Sequence, residues 1–90
     1  MGVEAYETEL KRKAGALEIL LKNYDDGRRK SFFCTAVNLL VWEDVNTVMR
    51  QIDGVIEPGM PIKMKAAAVA RMFEDMAEIR GVSLRLRKRG

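Results

Sequence analysis

The chain has 90 residues, a length that suits one domain with a single core and that buries about 60–65% of the surface exposed by the unfolded chain. Hydrophobic residues make up 48% of it and charged residues 32%, a balance typical of a folded protein rather than a disordered one. The formal net charge is +3. A single cysteine excludes an internal disulfide, and the absence of histidine removes the side chain that most general bases and zinc sites use.

The sequence indicates neither a membrane span nor a secretory signal. No apolar run approaches the ~20 residues that a membrane-spanning helix needs. The first ten residues, MGVEAYETEL, lack a basic region followed by an apolar core. Together with the single cysteine, these features predict a protein of the reducing cytoplasm.

The first predicted helix runs from Glu4 to Tyr24. Its apolar residues recur at three- and four-residue spacing on one stripe that is expected to face the core: Tyr6, Leu10, Ala14, Leu17, Leu21 and Tyr24. Its charged residues fall off the stripe and are expected to face water: Lys11, Arg12, Lys13, Glu18 and Lys22. In the turn that follows, the carboxylate of Asp25 or Asp26 can accept a backbone N–H and cap the next helix.

A second helix is predicted over Arg28–Leu40, with apolar residues on more than one face, as is typical of a central helix. Glu43 and Asp44 favour the start of a third helix, because acidic side chains stabilise the positive end of the helix dipole. This helix is expected to end at Asp53-Gly54, where Gly54 would take the left-handed conformation common at helix C-termini.

Pro61 fits the first turn of a fourth helix, which Gly81 is expected to end. The predicted core stripe of this helix consists of Ile62, Ala66, Val69, Phe73, Met76 and Ile79.

After the fourth helix, Val82, Leu84 and Leu86 alternate with polar residues as in a strand. A strand needs a partner, and Val55–Ile56 is the available one. The alternatives are a continued helix and a disordered tail, the latter favoured after about Leu86.

These elements predict an all-α fold, a small irregular or orthogonal four-helix bundle with a basic C-terminal tail. Residues 1–81 form a single helical domain in this prediction, and residues 82–90 form the tail. Arg80–Gly90 contains five Lys or Arg and no Asp or Glu, while the rest of the chain is nearly neutral. The tail is therefore interpreted either as a solubilising end or as a contact for nucleic acid or an acidic partner, through Arg85, Arg87, Lys88 and Arg89.

A second basic cluster, Arg28, Arg29 and Lys30, lies at the predicted start of the second helix, where cations oppose the helix dipole. Two explanations remain open. Asp25 and Asp26 can compensate the charge, or the cluster receives an anion such as a phosphate on free backbone N–H groups and guanidinium groups. Because three consecutive residues spread over one helical turn, at most two of the cations would face one ligand.

Candidate catalytic residues are few. Cys34 follows the basic cluster, which could activate a thiol, but its apolar neighbours favour a packing role. The adjacent carboxylates Asp25/Asp26 and Glu43/Asp44 are explained by helix starts, and Glu74/Asp75 by a solvated face. Neighbouring residues on a helix point about 100° apart, so such pairs do not converge on one substrate or metal ion.

Six methionines suggest an adaptable apolar surface. Met60, Met64 and Met72 are the candidates for a groove that takes a partner helix or for a homodimer face. The alternative is that a small bundle simply buries them in its core.

The sequence therefore predicts a non-catalytic helical binding module that mediates protein–protein interaction and associates with itself. The alternative is binding of the nucleic-acid backbone through the tail and the cluster at residues 28–30. A small enzyme that uses Cys34 or a carboxylate pair is third. No cofactor, metal ion, membrane partner or small-molecule substrate is expected.

Overall fold

The structure is a computed structural model that describes the backbone of residues 2–84 and the side chains of residues 7–84. Within these residues it contains four helices: α1 (Gly2–Asn23), α2 (Lys30–Leu39), α3 (Trp42–Val55) and α4 (Ile62–Arg80). α1 packs against α2 and α3, and α4 packs against the same two helices. The predicted all-α four-helix bundle is confirmed.

The core lies where all four helices meet. Phe33 of α2 and Phe73 of α4 are fully buried, and their rings contact edge to face with centroids 6.3 Å apart. α1 contributes Ala16 and Leu20 to this core. α3 contributes mainly branched side chains, which are Val45, Val48 and Ile52. Phe73 lies on the predicted core stripe of α4 and is buried, but Ile62 and Ile79 at the two ends of that stripe are 44% and 74% exposed, so the prediction was wrong for them.

The buried face of α1 is rotated from the predicted stripe, of which Leu17, Leu21 and Tyr24 pack against the core but are only partly buried. Ala16 and Leu20 are buried, whereas Leu10 on the predicted stripe is 46% exposed. α1 packs against two helices, so its buried face points between them. This face is centred on residues one position before Leu17 and Leu21 of the predicted stripe. Lys13, predicted to face water, is only 14% exposed because its ammonium group reaches the backbone carbonyl of Asn38.

The turn before α2 is ordered by its two carboxylates. Oδ1 of Asp25 accepts the backbone N–H groups of Gly27 and Arg29, each at 3.0 Å, and Oδ1 of Asp26 accepts that of Arg28 at 3.0 Å. The carboxylates thus bind residues that precede the helix, and α2 begins at Lys30 rather than at Arg28. Asp25 and Asp26 therefore stabilise the turn before α2 instead of capping the helix as predicted.

The two predicted glycine stops have different outcomes. Gly54 lies inside the last turn of α3, and the chain leaves that helix at Ile56 in an extended conformation, so the left-handed assignment was wrong. Gly81 ends α4 as predicted, with φ of 73°. Its N–H donates to the Glu78 carbonyl at 3.1 Å, and that of Val82 donates to the Ala77 carbonyl at 2.8 Å.

The described part of the tail is neither strand nor continued helix. Residues 82–84 have no ladder partner, and Val55 belongs to α3, so the predicted pairing with Val55–Ile56 was wrong for this part of the chain. The turn at Gly81 brings the chain back onto the bundle, where Leu84 is 5% exposed and joins the core. Leu86 and the expectation of disorder beyond it lie outside the described residues.

Candidate anion-binding site

A cleft of about 390 Å³ lies between the turn before α2 and the start of α4. It is lined by Asp26, Arg28, Arg29, Phe32 and Lys63, and these five residues are called the basic cleft below. Three cations and one carboxylate give it a formal charge of +2. Lys63 was not among the predicted site residues, because only the packing of α4 against α2 brings it here.

Arg29 holds the most constrained cation of the basic cleft. Its side chain is half-buried, and its Nε atom is buried without any hydrogen-bond acceptor. A buried donor that lacks an acceptor costs about 1–3 kcal/mol. Arg29 thus contributes a cation to the lining of the basic cleft, with its Nε atom closed off from solvent.

Two helix starts contribute to the positive character of this region. Neither α2 nor α4 has a side-chain cap at its N-terminus, and neither has an acidic residue in its first turn. Free N–H groups in the first turn of a helix carry the positive end of its dipole and favour anions. α3 contrasts with both, since its first turn holds Glu43 and Asp44.

Asp26 limits where an anion can sit in the basic cleft. Its Oδ1 atom is held by the N–H of Arg28 at 3.0 Å, so the carboxylate is fixed beside the cations. Because it repels an anion, a ligand in the cleft would bind away from this carboxylate.

The remaining predicted cations are placed as follows. Lys30 is exposed as the first residue of α2 and does not line the basic cleft. Arg85, Arg87, Lys88 and Arg89 lie outside the described residues.

Most candidate catalytic residues lie in α2, in the turn before it and on the surface of α4. Cys34 is half-buried in α2. Asp25 and Asp26 bind backbone N–H groups of their own turn, and Asp75 pairs with Arg71 at 3.4 Å on the surface of α4. Within the described residues, no three His, Cys, Asp or Glu side chains lie close enough together to hold a metal ion.

Asp44 has a role that the sequence did not indicate. It is buried, and its two carboxylate oxygens accept hydrogen bonds from Nε and Nη2 of Arg80, each at 2.9 Å. This bidentate ion pair joins the first turn of α3 to the last residue of α4. The carboxylate lies at a helix N-terminus and the guanidinium at a helix C-terminus, so each charge also complements the dipole of its helix. The residues are 36 positions apart, and no local pattern connects them.

A second polar contact joins α1 to the corner between α2 and α3. Oε2 of Glu9 accepts the backbone N–H of Trp42 at 3.2 Å and lies 3.7 Å from Nζ of Lys13. Lys13 in turn donates to the Asn38 carbonyl at 3.4 Å. A carboxylate thus meets the start of α3, and an ammonium group meets the end of α2.

The predicted methionine surface is only partly exposed. Met72 packs against the core, Met60 is half-buried, and Met64 is 56% exposed. A more continuous apolar surface lies at the corner between α2 and α3, where Leu39 and Val41 are 52% and 55% exposed.

This apolar corner, defined as Leu39, Val41 and the half-buried Trp42, borders two clefts. One of about 290 Å³ extends toward Arg80, and one of about 540 Å³ extends toward Arg12. Val41 lines both, so the three side chains form one continuous surface.

Comparisons with protein-family models, with curated proteins and with solved structures gave no match to this chain. Over the described residues, no helix combines the length and the apolar content that crossing a bilayer requires.

Proposed function

We propose that this protein is a non-catalytic helical module that binds the phosphate backbone of nucleic acid. The observation that supports this proposal is the meeting of Arg28, Arg29 and Lys63 in one cleft that holds a single carboxylate. Cations from α4 and from the turn that leads into α2 converge there, although like charges repel one another.

The chemistry of the basic cleft suits a phosphate. A guanidinium group offers parallel N–H donors that match two phosphate oxygens, and an ammonium group adds a point charge. Arg28 and Lys63 are exposed and can reach a ligand from solvent. Contacts of this kind hold the phosphate backbone and do not read base edges. We therefore expect the binding affinity to depend strongly on salt concentration and little on base sequence.

The tail would extend the same interaction. Its four cations, Arg85, Arg87, Lys88 and Arg89, follow directly after Leu84, which the bundle core anchors. We also propose the cytoplasm as the compartment, since the one cysteine of the chain can form no internal disulfide.

The test is a fluorescence-anisotropy titration of a mixed-sequence single strand and its duplex at 50 and 200 mM salt. The double variant Arg28→Gln/Lys63→Gln is compared with Lys11→Gln/Arg50→Gln, which changes net charge equally at exposed positions outside the basic cleft. Two lost phosphate contacts reduce the log–log salt slope on the single strand by about 1.4, at about 0.7 per contact. Affinity at 50 mM salt is expected to fall about tenfold, the equivalent of about 1.4 kcal/mol.

The control variant separates a site from general attraction. It is expected to bind within about twofold of the wild type at 200 mM salt, where the Debye length is about 7 Å and exposed charges outside the basic cleft contribute little. Equal losses in both variants would mean that only net charge matters and would refute the cleft. A full chain that binds neither ligand at 50 mM salt would refute the proposed function.

A tail variant tests the second contact. Replacing Arg85, Arg87, Lys88 and Arg89 by Gln in the full chain is expected to lower the slope on duplex DNA by up to about 3.6, at about 0.9 per cation. An unchanged slope would remove the tail from the proposal and leave the basic cleft as the binding site.

A second candidate function, protein–protein interaction with self-association, is supported by the apolar corner. Leu39 and Val41 are both more than half exposed and adjoin Trp42, an aromatic residue of the kind that anchors interfaces. Sedimentation of the full chain over a range of concentrations tests this, with Val41→Lys compared with Met64→Lys. Loss of association only in Val41→Lys would assign the interface to the corner, and loss only in Met64→Lys would assign it to the methionine surface. A monomer at all concentrations would refute self-association.

A further inference from the structure

An aromatic ring lies in the basic cleft beside its cations. Phe32 is half-buried and lines the cleft together with Arg28, Arg29 and Lys63. Its neighbour Phe33 is fully buried in the core. The two rings contact edge to face with centroids 5.9 Å apart, so the core residue supports the ring at the cleft.

The position of Phe32 along α2 places it next to Arg29. Residues three apart on a helix are neighbours on one face, and Arg29 immediately precedes the helix. An aromatic surface and a phosphate-binding group therefore lie side by side. Nucleotides present the same two features, a flat base and a charged phosphate, at adjacent positions.

The volume of the cleft, about 390 Å³, is within the range of sites that hold one small molecule. Only an unpaired base can reach such a site, because bases in a duplex are stacked and hydrogen-bonded to their partners.

We infer that the basic cleft seats one nucleotide of a single strand, with its phosphate between Arg28 and Lys63 and its base stacked on Phe32. This inference rests on the proposed function and adds a preference for single strands over duplex. Stacking is tolerant of base identity, so it agrees with contacts that do not read sequence.

The test uses the full chain and its variants Phe32→Leu and Phe32→Trp in the same anisotropy titration. Leu keeps the apolar volume but removes the flat ring, and loss of one stacked base lowers single-strand affinity about tenfold. Duplex binding is expected to stay within twofold of the wild type. Trp retains stacking and is expected to restore single-strand affinity.

A spectroscopic readout accompanies the affinities. Wild-type protein has Trp42 as its one tryptophan, so additional fluorescence in Phe32→Trp reports on the cleft. We expect single strands to quench this added signal and duplex to leave it unchanged. The readout also serves if Phe32→Leu fails to fold, which circular dichroism would reveal.

The outcomes distinguish the two levels of the argument. If Phe32→Leu binds single strands like the wild type, or if the added tryptophan is not quenched, stacking is wrong. The phosphate site would then still stand if Arg28→Gln/Lys63→Gln weakens binding. Absence of binding to either nucleic acid at 50 mM salt would overturn both the proposed function and this inference.

Discussion

The ion pair between Asp44 and Arg80 predicts an asymmetry between its two partners. Asp44 is 7% exposed at its side chain, whereas Arg80 is 56% exposed. Removing Arg80 leaves a carboxylate buried without its partner, while removing the charge of Asp44 leaves a guanidinium that water can reach. The two substitutions therefore differ in cost although they break the same contact.

The magnitudes follow from this exposure. Arg80→Met is expected to cost about 2 kcal/mol, below the 3–5 kcal/mol of a fully buried pair because one partner is half solvated. Asp44→Asn is expected to cost about 1 kcal/mol, a typical value for one hydrogen bond. The double variant removes the stranded charge, so we expect it to be more stable than Arg80→Met alone.

The assay is thermal unfolding followed by circular dichroism, with Arg71→Met as the matched control on the same helix. Arg71 and Asp75 form an exposed pair whose side chains are 75% and 61% accessible, so its loss costs about 0.5 kcal/mol or less. In a domain of this size, about 1 kcal/mol shifts Tm by about 4–8 °C. Arg80→Met should therefore lower Tm by about 8–16 °C. A loss no larger than that of Arg71→Met, or a larger loss in Asp44→Asn than in Arg80→Met, would refute the reasoning.

Three further predictions concern stability and are measured by urea unfolding. Gly81→Ala is expected to lower the free energy of unfolding by about 1–2 kcal/mol, because φ at this position is 73°. Gly54→Ala is expected to raise it by about 0.5–1 kcal/mol, because Gly54 lies inside α3 and an added Cβ would meet open space. Changes of the same sign in the two variants would contradict the assigned helix ends. Lys13→Met is expected to lose about 1 kcal/mol by removing the contact with Asn38, and Lys11→Met should stay within about 0.5 kcal/mol. Phe73→Ala should lose about 3–5 kcal/mol of a total of about 5–13, and a loss below about 1 kcal/mol would contradict its central place in the core.

The end of α4 and the turn at Asp25 and Asp26 were predictable because their signals are local. Gly81 ends α4 since only glycine adopts a positive φ there without strain, and Pro61 immediately precedes the same helix. Asp25 and Asp26 were predicted to bind backbone N–H groups and do so, although in the preceding turn. Gly54 carries the same kind of signal and failed, because α3 gains one more turn-closing bond, from Ile56 to Ile52, before the chain leaves it.

Contacts between helices could not be predicted, because they depend on how the helices cross. The rotated face of α1 arises from two neighbours rather than one, which places Ala16 and Leu20 at its centre. Asp44 was explained as a helix-start residue and is in fact paired with Arg80. In the same way, Arg28 and Arg29 were identified as a cluster from the sequence, but nothing in the spacing shows that Lys63 joins them.

Uncompensated positive charge is not evenly distributed over the helix ends of this structure. α3 begins with acidic residues and with the carboxylate of Glu9 on its first N–H, and α4 ends in a fully bonded glycine turn. By contrast, the first turns of α2 and α4 hold no acidic residue, although Oδ1 of Asp25 accepts the N–H of Arg29 just before α2, and residues from both regions line the basic cleft. Arg29 lines the same cleft, with its Nε atom buried and without an acceptor. A phosphate bound between Arg28 and Lys63, as proposed, would place negative charge beside the starts of these two helices.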